Sequence, residues 1–168
     1  IIRHTSESFR DDPLRVLRCA RFAAKFSDFT VSPETIEFMK QMVQSGELNT
    51  LTPERVWVET HKALSTDKPS IYFDVLLECG ALELLFPEIF DLVGVTQPIQ
   101  HHPEVDTYIH TKMCVDLAAE RSLNTVQRFG ALVHDFGKGV TDKALWPSHH
   151  GHEKAGVPLV HAMCDRLK

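Results

Sequence analysis

Long hydrophobic runs are missing from this 168-residue sequence. No stretch approaches the ~18 consecutive apolar residues of a membrane span, so no membrane partner is expected. Cysteine is scarce: Cys19, Cys79, Cys114 and Cys164 stand singly and no C-x-x-C pair occurs. That excludes zinc-ribbon and disulfide-scaffold folds and suits a reducing, cytoplasmic compartment. The first residues carry no signal-peptide pattern. Asn-Gly and Asp-Gly hairpin turns are absent and strand-like alternation is rare, which leaves little material for a sheet. Positive charge is in deficit. A net charge of −5 excludes a chain that coats nucleic acid along its whole surface, while leaving room for a local basic patch.

What is present has the composition of an ordinary globular protein, 43% hydrophobic and 24% charged. The length suffices for one good core or two small ones. The punctuation is helical. Asp11-Asp12-Pro13, Ser32-Pro33-Glu34 and Thr52-Pro53-Glu54 each place a capping side chain before a proline at the first helical position, and Asp67-Lys68-Pro69-Ser70 is a weaker start. Gly46, Gly80 and Gly137 read as stops. Ile36, Met39 and Val43 keep helical spacing, as do Phe129, Leu132 and Val133. The expectation is an all-α chain of roughly eight short helices. Pro87, Gly94, Pro98 and Pro103 interrupt the pattern near 87–106, and every histidine except His4 and His61 lies at or beyond His101. Residues 1–90 are therefore read as one helical unit, 91–103 as a linker and 104–168 as the start of another unit. The chain opens Ile1-Ile2-Arg3 without methionine and reaches Lys168 within a helical pattern, so it is read as a piece cut at both ends.

Two constellations carry chemistry. On a helix from residue 14, Arg15, Arg18, Arg21 and Lys25 fall on one face. Asp12 precedes Arg15 by one turn, so an acceptor and a planar donor fork project side by side. Such a pair could read the edge of a nucleobase while Arg18 takes phosphate charge. The plainer reading is a solvated basic face with Asp12 as an N-cap. In the second constellation, Ile109-His110-Thr111 opens one helix and His134-Asp135 closes another, before His149-His150-Gly151-His152. Adjacent imidazole and carboxylate at a helix end can point into one pocket. With His110 from a neighbouring helix they would form a facial set for a borderline divalent ion such as Mn, Ni, Zn or Fe, with positions left for water and phosphate. Lys138 could neutralise a substrate phosphate. His4, His61 and His161 read as surface or capping residues.

The segment Asp11-Asp12-Pro13-Leu14-Arg15-Val16-Leu17-Arg18-Cys19-Ala20-Arg21-Phe22 resembles the nucleotide-recognition motif of the class II tRNA nucleotidyltransferases, the CCA-adding enzymes and bacterial poly(A) polymerases. By that resemblance Asp12 and Arg15 pair with the Watson–Crick edge of CTP or ATP, and Arg18 contacts the nucleotide. Leu51-Thr52-Pro53-Glu54-Arg55-Val56-Trp57 looks like the next family motif, with Arg55 as the expected partner of the acidic residues near position 12. Family chemistry belongs to an N-terminal head with an Asp-x-Asp pair and magnesium, and no Asp-x-Asp occurs here. The order His110, His134-Asp135-Phe136-Gly137-Lys138, then a histidine-rich loop resembles the HD phosphohydrolase superfamily. More narrowly it resembles the multifunctional CCA family of gamma- and betaproteobacteria.

The resemblance implies the all-α neck of a class II nucleotidyltransferase followed by the first part of an HD domain. It implies His134 and Asp135 as catalytic residues and His110, His134 and Asp135 as metal ligands, with His149, His150 and His152 as further candidates. A transition metal, nickel by resemblance, is the expected HD cofactor. The final HD aspartate is expected beyond Lys168, since Asp165 comes too early. The implied activities are CCA addition to tRNA from CTP and ATP, with 2′,3′-cyclic phosphodiesterase, 2′-nucleotidase and phosphatase activity in the HD part. Residues 1–168 alone are expected to support neither. A poly(A)- or A-adding relative and a non-catalytic tRNA-binding module are the competing readings. Monomer and dimer stay equally open.

Overall fold

Proline starts three of the helices, because its fixed φ suits the first turn and its missing N–H is not needed there. These are α2 (Pro33–Gln44), α3 (Pro53–Leu64) and α6 (Pro87–Phe90). The computed structural model describes residues 1–100 and 102–167; His101 and Lys168, which the sequence reading included, lie outside them. The remaining helices are α1 (Leu14–Lys25), α4 (Ser70–Glu78), α5 (Ala81–Leu85), α7 (Thr107–Glu120), α8 (Thr125–Val133) and α9 (His152–Arg166). Among the described residues, short 3-10 turns lie at Glu7–Asp11, Glu47–Thr50, Phe136–Val140 and Lys143–Leu145. Only two isolated bridges, Ile2 with Val31 and Thr96 with Asp106, occur among the described residues. The fold is all-α, with nine α-helices among the described residues where roughly eight were expected.

The starts are capped in different ways. The Ser32 hydroxyl accepts from the Thr35 amide, and Asp12 Oδ1 accepts from the Leu14 amide at 3.1 Å. Asn124 and Gln127 form a reciprocal capping box at the head of α8. Helix α4 takes its cap from elsewhere. Asp116 of α7 accepts from the Ser70 amide at 3.0 Å and from its hydroxyl at 2.8 Å. Gly46 and Gly80 stop their helices as expected, at φ of 78° and 82°. Gly137 does not. Helix α8 ends four residues earlier, and Gly137 lies in a 3-10 turn pressed against α9. A Cβ there would run into the His152 carbonyl oxygen and stand 2.7 Å from the Gly156 nitrogen. Its lack of a side chain serves close packing, not a left-handed turn.

One cluster of buried side chains joins both ends of the chain. Leu17, Met39, Leu64, Tyr72, Phe73 and Phe86 pack with Tyr108, Val115, Leu132, Phe136 and Met163. The loop from 91 to 106 is tied across this core. Asp106 Oδ2 accepts from the Gly94 amide at 2.7 Å, and the Thr107 amide and hydroxyl both donate to the Val95 carbonyl. Those bonds fix the start of α7, and therefore His110, against the segment that follows α6.

Candidate functional site

Helix α1 presents its polar side to a cavity of about 510 Å³, where Arg15 and Arg18 line a wall with Arg3, Ser8 and Phe9. Arg15 Nη1 donates to the Ser8 carbonyl. Arg18 is exposed. Asp12 is not among the lining residues; Arg55 Nη2 lies 2.9 Å from both of its carboxylate oxygens. The expected pairing of Arg55 with an acidic residue near position 12 is present. Arg21 departs from the expected basic face. Its side chain is 14% exposed, and Nε donates to buried Glu59 at 2.5 Å, which removes it from ligand contact. His4 is also not a plain surface residue: it bonds Thr35 through Nδ1 at 2.8 Å and stacks on Phe38 at 4.9 Å.

The second constellation converges on Asp135, which is only 3% exposed. His134 Nε2 stands 3.2 Å and His110 Nε2 3.9 Å from Asp135 Oδ2, while His152 Nε2 is 3.4 Å from Oδ1. The far nitrogen of each ring faces an oxygen. His110 Nδ1 meets Glu104 at 2.6 Å, His134 Nδ1 the Ala131 carbonyl at 2.8 Å, and His152 Nδ1 the His149 carbonyl at 2.9 Å. The Glu104 carboxylate and the Ala131 and His149 carbonyls accept, so each Nδ1 carries a hydrogen and Nε2 is the position that can exchange a proton for a metal. Three imidazoles held in that orientation around a carboxylate suit a borderline divalent ion.

Electrostatics sharpen the arrangement. Burial pushes the Asp135 carboxyl up, but hydrogen bonds and charge from His134 and Lys138 outweigh it and hold the group well below the usual range. The bond to Asp135 raises His134 against the opposing effect of burial. Burial lowers His110, with Glu104 pulling the other way. Lys138 is not free for a substrate phosphate as expected. It is 7% exposed, with Nζ 2.7 Å from Asp135 and 2.5 Å from Gln97 Oε1, so it orients the carboxylate instead.

The histidine loop divides. His152 joins the cluster. His149 is fully buried, with Nδ1 2.5 Å from the Thr141 hydroxyl and Nε2 2.7 Å from the Thr96 carbonyl, so both nitrogens are occupied. His150 is exposed. The sequence pattern assigns no role to Glu104 or Cys114, yet Glu104 holds His110, and Cys114 Sγ lies 3.4 Å from His110 Nε2. The i, i+4 spacing of His110 and Cys114 on one helix face is the signal that could have found the thiol.

Residues 28–92 match a family model described as "Probable RNA and SrmB- binding site of polymerase A". The chain is 56% identical over 169 aligned residues to a protein named "Multifunctional CCA protein" from Psychromonas ingrahamii, covering 99% of this chain and 41% of that relative. It thus spans about two-fifths of the relative's length.

Proposed function

Because the chain belongs to the multifunctional CCA family, we propose that it is the neck and the first part of the HD domain of a cytoplasmic enzyme that matures tRNA 3′ ends. The full-length protein transfers CMP and AMP from CTP and ATP to tRNA, with magnesium chemistry in a head outside these residues. Residues 1–90 supply base recognition, 91–103 link, and 104–168 begin a phosphohydrolase. The match of residues 28–92 to an RNA-binding model supports tRNA contact along α2 to α6.

In the first site Arg55 braces Asp12 from α3, and Asp12 in turn caps α1, so the helix that carries Arg15 and Arg18 starts in a defined place. Arg15 and Arg18 then offer planar donors to base edge and phosphate. In the second site, His110, His134 and Asp135 would hold a divalent transition metal, nickel by family resemblance, with His152 beside them. A cation there supplies Lewis acidity toward a phosphoryl oxygen. Glu104 and the Ala131 carbonyl aim the two imidazoles, and Lys138 keeps Asp135 ionised and fixed.

The observation that carries the hydrolase reading is the convergence of three Nε2 atoms on the two oxygens of Asp135. The test is an assay of the full-length protein with a 2′,3′-cyclic nucleotide after chelation and after readdition of nickel or manganese. Hydrolysis that vanishes and returns supports the reading. Metal-independent hydrolysis, or none with metal bound, rejects it.

A further inference from the structure

Cys114 stands one turn after His110 on α7, outside the His and His-Asp pattern that marked the site in sequence. Its Sγ is 3.4 Å from His110 Nε2. One ligand atom each from His110, Cys114 and His134 lies within 4.8 Å of the other two. The thiol also borders an open groove of about 640 Å³ lined by Lys68, Met113 and Leu117, so an ion can enter. Two imidazole nitrogens and a thiolate suit thiophilic ions such as Zn²⁺, Co²⁺ or Cd²⁺, whereas Mg²⁺ and Mn²⁺ favour oxygen.

We propose that Cys114 is a metal ligand, and that His110, Cys114 and His134 form a thiophilic-metal site overlapping the set that includes Asp135. The proposal rests on the reading of His110 and His134 as metal ligands, and not on what the loaded site hydrolyses. On loading, the S–H bond breaks, the S–metal bond forms and the proton leaves to water; no oxidation state changes. The two imidazoles are shared, so the choice between Cys114 and Asp135 as the third donor sets which ions the protein prefers.

The experiment is cobalt(II) titration of the full-length protein followed by absorption. Thiolate-to-cobalt charge transfer gives a near-ultraviolet band that carboxylate and imidazole ligands do not. The band is expected in the wild type and in Cys164→Ser, and is expected to be lost in Cys114→Ser and His110→Ala, with circular dichroism checking that each variant is folded. Zn²⁺ should bind Cys114→Ser more than about tenfold more weakly, and Mn²⁺ should bind it unchanged. Cobalt bound without the band, a band that survives in Cys114→Ser, or no cobalt bound at all would overturn the proposal. Phosphodiester hydrolysis by a cobalt protein that lacks the band leaves the hydrolase reading standing while this proposal fails. The band without hydrolysis does the reverse.

Discussion

Arg55 and Asp12 are 43 residues apart, and one guanidinium nitrogen of the arginine sits 2.9 Å from each oxygen of the carboxylate. The pair is partly exposed, 46% and 32% at the two side chains, so its contribution to stability is under about 1 kcal/mol. Its consequence lies in position. Arg55→Ala should leave the melting temperature nearly unchanged while lowering CTP and ATP incorporation by the full-length enzyme about tenfold or more, the effect of about 1.4 kcal/mol lost at the site. Thermal melting beside incorporation kinetics checks both halves; unchanged incorporation would remove the bracing role.

If Arg15 reads the base edge as proposed, loss of that charged hydrogen-bonding partner costs roughly 2–4 kcal/mol, or about 30- to 1,000-fold in rate. Arg15→Ala is expected to impair use of both CTP and ATP. A variant that incorporates both nucleotides at the wild-type rate would sink that assignment.

His134→Ala removes one proposed metal donor while Lys138 stays beside buried Asp135, unlike Lys138→Met, which would take away the buried cation and leave the carboxylate only its histidine contacts. Phosphoester hydrolysis should disappear in His134→Ala, and CCA addition should persist. Parallel assays on one folded preparation distinguish this from a single shared site, in which both activities would fall together.

Gly137→Ala would drive a methyl group into the backbone of α9 at His152 and Gly156. Overpacking of this kind costs about 1–3 kcal/mol. The expected result is a lower melting temperature and weaker metal binding, because His152 moves with its helix. Calorimetric metal titration of the variant tests the second part: wild-type affinity would mean that His152 has no share in the site.

Burial pushes the Cys19 thiol from 9.0 up to about 12 and Cys79 from 9.0 up to about 11. The folded state holds these protons more tightly than the unfolded state. Their contribution to stability is therefore complete below pH 9 and is lost as pH rises toward the folded values, at up to roughly 1.4 kcal/mol per pH unit for each thiol. Urea midpoints between pH 8 and pH 10.5 should fall more steeply for the wild type than for Cys19→Ala. Equal slopes would show that Cys19 does not titrate differently in the two states. In the native protein a thiol reagent should reach exposed Cys164 and spare Cys19 and Cys79.

Several features are set by the sequence alone, through interactions a few residues long. Pro33 and Pro53 begin their helices and Gly46 and Gly80 end theirs, whereas Pro87, an interruption in the apolar pattern, starts α6. His110 and the His134-Asp135 pair were legible as a candidate ligand set from residue type and order, and the fold brings the three side chains together. Tertiary structure decided which groups own which partners. Asp116 caps α4 across 46 residues, and Lys138 turns to Asp135 and Gln97. Arg21 leaves the basic face for Glu59, 38 residues on. His149 and His152 are three positions apart and look alike in the sequence, yet one fills both nitrogens with Thr141 and Thr96 while the other faces Asp135. Gly137 reads as a helix stop until α9 is seen against it. The physical reason is range: caps, turns and periodicity act within about one helical turn, whereas a hydrogen bond or metal donor set exists only when folding brings distant atoms within a few ångströms.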